Sequence, residues 1–179
     1  MCSSDLVVLT AESGPIRIGR HCVVMDTAVV RGVAANPVVI GDRVLVGPRA
    51  YLSGCVIDDE VFVATGATIL NGAHLEKGVE VRINGVVHIR TRLEAFATVP
   101  IGWVAVGDPA AIMPPGAHED IWERQRPLDF AGHVFAAPRP ADGETLLATV
   151  APRYARALGA LHQADRLVSD RHAGPQQGP

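Results

Sequence analysis

The chain has 179 residues, enough for one domain with its own core, and a net charge of −3 with no long basic run; a nucleic-acid binder held by a concentrated positive face is therefore not expected. Hydrophobic residues make up 48% but aromatics only 4%, so the core should be aliphatic, and no apolar run approaches the roughly 20 residues of a membrane-spanning helix. Cys2, Cys22 and Cys55 are odd in number and lack CxxC spacing; they read as buried free thiols in a reducing compartment, and with no visible signal segment the cytoplasm is expected.

The opening MCSSDL, residues 1–6, fits no repeat and is expected to be a non-native leader. A six-residue period follows. Its apolar stops are Ile18, Val24 and Val30, then Ile40, Val46 and Leu52. From Ile57 it steps through Val63, Ile69, Leu75, Val81, Val87, Leu93 and Val99 to Ala105. A spacer, Gly32 to Val39, separates the first two runs, and a five-residue step joins Leu52 to Ile57. Small or β-branched residues such as Val61, Ala67, Ala73 and Val79 stand four positions after the stops. A helix would need apolar residues every three to four positions, and a single strand would alternate by two. A sustained hexad instead predicts a parallel β-helix, three short strands to a triangular coil, with the aliphatic stop inside and the small residue near the corner. Ile57, Val63, Ile69, Leu75, Val81 and Val87 should point inward.

After Ala110 the period stops. The expected organisation is a β-helix over 7–112, a C-terminal extension over 113–169 and a disordered tail over 170–179. Within the extension, His118 to Arg126 reads as a short helix ended by Pro127. Leu128 to Asp142 is Pro-rich and reads as extended over the surface. Glu144 to Ser169 reads as a longer helix with Leu147, Val150, Tyr154, Leu158 and Leu161 on one face. Pro152 should kink that helix or mark its first turn.

Five segments carry a family resemblance: GPIRIG (14–19), VVMDTAVVRG (23–32), VLVGPRAYLSGC (44–55), VFVATGATILNGA (61–73) and VAVGDPAAI (104–112). In order and spacing they resemble the γ-class carbonic anhydrases over Val7 to Ile112. The resemblance implies a left-handed β-helix, a C-terminal helix packed alongside and a homotrimer. It also implies zinc or iron held between subunits by three histidines, whose bound hydroxide attacks carbon dioxide. In this sequence the three histidine slots hold Arg31, Pro48 and Ser53. The family's upstream arginine and aspartate correspond to Thr10 and Glu12, its glutamine to Met25, and only Asp26 is unchanged.

Proline has no side-chain donor, a neutral serine is a poor zinc ligand, and arginine repels a cation. No cofactor is therefore expected. The remaining histidines, His21, His74, His88, His118, His133, His162 and His172, lack metal-pair spacing and should be superficial; His74 and His88 should point outward beside inward stops. The expected function is a γ-carbonic anhydrase-like trimeric scaffold or small-anion binder. Arg31 and Arg49 are candidates for holding carboxylate or bicarbonate, or for ion pairs between subunits with Asp26 or Glu12. Three alternatives stand beside it. One is a hexapeptide acyltransferase using acyl-CoA with His88 as base. Another is a carbonate dehydratase with unfamiliar ligands. The third is a heterotrimer with an intact homologue.

Overall fold

The computed structural model describes residues 2–3, 6–11, 13–33, 35–138 and 140–164. Strands of two or three residues recur so regularly that they stack into three parallel sheets. The first sheet is built from Cys2–Ser3, Val23–Val24, Leu45–Val46, Phe62–Val63, Glu80–Val81 and Thr98–Val99. The second runs through Val8–Thr10, Val29–Arg31, Tyr51–Ser53, Thr68–Ile69, Val86–Val87 and Val104–Val106. The third comprises Ile16–Ile18, Val38–Ile40, Val56–Ile57, His74–Leu75 and Arg92–Leu93. Each coil contributes one strand to each sheet, so residue 62 pairs with 80 and 80 with 98. The result is a β-solenoid of about five turns. Cys2 and Ser3, set apart from the repeat in the sequence reading, form its first strand and pair with Val23 and Val24.

The inward register is the one the hexad predicts. Leu52, Val63, Ile69, Leu75, Val81 and Val87 are fully buried and Ile57 nearly so. Burying an aliphatic side chain of this kind contributes about 1.5–3 kcal/mol, and the stack repeats that gain at every coil. The chain turns most of its corners through a residue in the left-handed region. Between the first and second sheets that residue is Leu6, Thr27, Arg49, Gly66, Asn84 or Gly102, with φ from 55° to 70°. Cys22 and Cys55 are buried free thiols, and burial pushes the Cys55 thiol up to about 12.

Two irregularities matter for the site. The Gly32–Val39 spacer closes on itself, with Val33 and Asn36 exchanging backbone hydrogen bonds of 3.2 and 2.9 Å. The parallel stack also ends at Val106 rather than at residue 112. Ala111–Met113 turns back and pairs antiparallel with Val104–Val106.

Three helices follow: α1 (His118–Gln125), α2 (Phe130–Phe135) and α3 (Leu146–Ala164). In α1, Glu119 and Asp120 occupy the first turn, where carboxylates suit the helix dipole. The segment expected to be extended instead holds α2. It starts because the Asp129 side chain accepts a hydrogen bond from the Gly132 amide and satisfies an orphan donor. Pro152 lies inside α3, past its first turn. Of the face expected to pack, Val150 is buried while Leu147, Tyr154 and Leu158 are exposed; α3 touches the rest of the chain chiefly near its start. Residues 165–169 of the expected longer helix, and the expected tail, lie outside the described residues. No helix among the described residues is long and apolar enough to cross a membrane.

Candidate functional site

In the second sheet, side chains that follow the inward stop face outward. Arg31 and Ser53 are such residues, and they are register partners on adjacent coils. Above them lie the spacer hairpin, α2 and the early turns of α3. Together these border a partly open cavity of about 470 Å³. Its polar lining is Ser13, Arg31, Asn36, Tyr51, Ser53, Asn71, His133 and Tyr154. Its apolar lining includes Val33, Leu70, Ile89, Phe130, Val134 and Phe135.

Arg31 is the charged group of this cavity. Its Nη2 donates to the Tyr154 Oη at 3.0 Å. That bond is the leading cause that holds the guanidinium pKa above its ordinary value, against desolvation, with Tyr51 adding to it. Both tyrosines of the chain thus stand beside one arginine. Four of the chain's eight Phe, Tyr and Trp residues border the cavity, Tyr51, Phe130, Phe135 and Tyr154. Phe135 meets Tyr154 edge-on at 6.0 Å between ring centroids and Phe130 at 5.8 Å. The His133 ring nitrogen Nε2 lies 3.1 Å from the Asn71 carbonyl oxygen, tying α2 to the sheet.

A second cavity, about 540 Å³, lies beyond Phe130, which lines both. His88, Trp122, Pro140 and Leu146 border it. His88 does point away from the solenoid interior, as its place beside Val87 requires. It is nevertheless 8% exposed rather than superficial, because α2 covers it and brings Phe130 within 6.4 Å of its ring. Burial lowers the His88 pKa below its ordinary value, and its Nδ1 is buried without a hydrogen-bond partner. His74 is half-buried, with Nε2 3.1 Å from an Asp58 carboxylate oxygen.

The other sequence-selected residues are distributed unevenly. Thr10 is in register with Arg31, on the coil before it, and its hydroxyl is buried without a partner. Met25 and Asp26 sit at the corner between the first and second sheets, Asp26 exposed. Pro48 and Arg49 occupy the same corner one coil on, where the Arg49 amide donates to the Asp26 carbonyl at 3.0 Å. None of these four lines the Arg31 cavity. Glu12 lies outside the described residues. Of the two anion-binding candidates only Arg31 lines the cavity, with Ser53 from a second ligand slot beside it; Tyr51, Asn71, Phe130, His133 and Tyr154 were not singled out from the sequence. The one available signal was Tyr51, inside VLVGPRAYLSGC and two positions before Ser53.

No family model matches the chain. Over 120 residues it is 32% identical to the protein named gamma carbonic anhydrase 1, mitochondrial, of Arabidopsis thaliana; the match takes in 64% of this chain and 42% of that one. The Arabidopsis protein named gamma carbonic anhydrase 2, mitochondrial, is 33% identical over 120 residues, with 64% and 41% covered. A Methanocaldococcus jannaschii protein named probable carbonic anhydrase is 37% identical over 62 residues, covering 35% of this chain and 39% of its own. The chain thus spans about two fifths of the length of these curated relatives. Among solved structures, the UDP-N-acetylglucosamine O-acyltransferase of Moraxella catarrhalis is 18% identical with a TM-score of 0.49, covering 84% of this chain and 65% of that one.

Proposed function

We propose that this chain, a γ-carbonic anhydrase-like hexapeptide-repeat protein, lacks the metal centre of the hydratases and binds a small anion at Arg31 within a homotrimer. The observation that carries the reading is positional. Arg31 and Ser53, which stand where the family pattern has histidines, are register partners lining one cavity.

The donor set does not fit zinc or iron. Such a metal takes three or four nitrogen, sulfur or oxygen ligands. Arg31 is a cation whose N–H groups donate, Ser53 offers a neutral hydroxyl, and Pro48 offers nothing. Among the described residues no group of three or more His, Cys, Asp or Glu comes close enough to hold a metal. An anion fits the same place. Arg31 keeps N–H donors beyond the one given to Tyr154, and a carboxylate or bicarbonate would accept them in charge-assisted bonds. A scaffold role for the trimer is compatible with this reading, and placement in the cytoplasm belongs to it.

Pro48 lies outside the cavity, at a corner, so the third slot meets the other two only if a neighbouring subunit supplies it. Trimerisation would do so. The acyltransferase alternative requires His88 to reach an acceptor, and α2 covers that ring.

The test restores the ligands. Purified protein should carry no stoichiometric zinc and hydrate carbon dioxide no faster than background. The combined variant Arg31→His, Pro48→His, Ser53→His should gain one zinc per subunit interface, read by elemental analysis. Stoichiometric zinc in the unmodified protein, or hydratase activity abolished by a chelator, would overturn the proposal.

A further inference from the structure

The geometry points to a monocarboxylate with an apolar body as the ligand of the Arg31 cavity, rather than a bare inorganic anion. This rests on the anion-binding reading above and deepens it by naming the ligand class.

Size is the first argument. A cavity of about 470 Å³ is in the range of sites that enclose organic molecules, and bicarbonate would fill only one end. Polarity is the second, because the charged group has apolar side chains in the same cavity. Arg31, Tyr51 and Ser53 form one wall, on neighbouring strands of the second sheet. From α2 come three hydrocarbon side chains, Phe130, Val134 and Phe135, beside His133, whose Nε2 is engaged with the Asn71 carbonyl. An inorganic anion would leave those hydrocarbon side chains without a partner.

Continuity is the third argument. Phe130 borders both cavities and is itself 43% exposed. The second cavity adds Trp122, Pro140 and Leu146 to the apolar side. A chain longer than the first cavity therefore has apolar surface to continue along. The fourth argument concerns the cation. The acceptors that Arg31 meets among the described residues are the hydroxyls of Tyr154 and Tyr51, both neutral groups. A ligand carboxylate would replace a neutral acceptor with a charged one and form a bond roughly twice as strong.

The test is a calorimetric titration of the full chain at fixed pH and ionic strength. The probes are bicarbonate, acetate, butyrate, hexanoate, octanoate and the uncharged octanamide. Affinity should rise about fourfold for each methylene buried, until the cavity is full. Octanamide should bind at least about tenfold more weakly than octanoate, and Arg31→Gln should abolish that preference. Val134→Trp, which adds bulk to the α2 side of the cavity, should shorten the longest acid accepted. Should either variant fail to fold, the series on unmodified protein still decides. If bicarbonate binds, depends on Arg31 and is matched by every longer acid, the small-anion reading stands and this inference falls. If no anion binds, both fall. Equal binding of octanoate and octanamide, unaffected by Arg31→Gln, would mark non-specific apolar adsorption and also overturn it.

Discussion

His88 is a titratable ring in a place where a charge is costly. Burial holds its pKa below the ordinary value of 6.5, so the folded chain favours the neutral imidazole. In the unfolded chain the same group protonates more readily as the pH falls. Its contribution to stability is therefore complete above pH 6.5 and is lost as the pH drops through the lower, folded value. Replacing His88 with Gln should flatten the fall in melting temperature between pH 7 and about pH 5, relative to the unmodified chain. Parallel slopes in thermal melts of the two proteins across that interval would refute the assignment. Asp42, Glu60 and Glu76 do not blur the comparison. The Arg20 amide, Arg43 and Arg92 respectively lead in holding their pKa values below 3.8, 4.5 and 4.5, so their contributions are lost only at lower pH.

The spacer hairpin depends on one glycine of the coil above it. Gly54 has φ +50°, and a Cβ there would lie 2.7 Å from the Asn36 Cβ and 2.8 Å from the Val33 Cγ2. Gly102 has φ +70° at a corner with nothing within 4 Å of its added Cβ. Gly102→Ala should cost about 1–2 kcal/mol, the backbone term alone. Gly54→Ala should cost about 1–3 kcal/mol more, because two packed groups must move. Urea unfolding of both variants reads the difference directly, and equal losses would mean the hairpin does not rest on Gly54. The contrast bears on what a sequence can reveal. The coils were legible because, apart from the spacer and one five-residue step, the inward stops from Ile18 to Ala105 recur every six residues, and all of them are apolar. The lid was not. Six-residue α2 is too short to show a helical period, and it begins on the left-handed Asp129. Nor does spacing announce that Arg31 meets Tyr154, a bond across 123 positions of chain. The place of Arg31 was visible; its surroundings were a product of tertiary packing.

At the scale of the whole molecule, the first sheet presents an outward row of Val23, Leu45 and Phe62, the first two 36% and 37% exposed. Rows of this kind, repeated at the coil spacing, suit burial between copies around a threefold axis. Light scattering should give three times the chain mass at micromolar concentration, and a stable monomer there would remove the trimer from the proposal. Assembly sideways is a matter of sheet faces; growth along the stack is another. Coils that repeat at a constant step carry no inherent length, and the last rung of a parallel sheet is a template for another rung. At the C-terminal end of the second sheet, Ala111–Met113 runs against Val104–Val106 and takes the open hydrogen bonds of that rung. An incoming first coil from another molecule would find a strand of the wrong polarity there. By reversing direction once, the chain leaves the second sheet no parallel edge at this end on which a further rung could form.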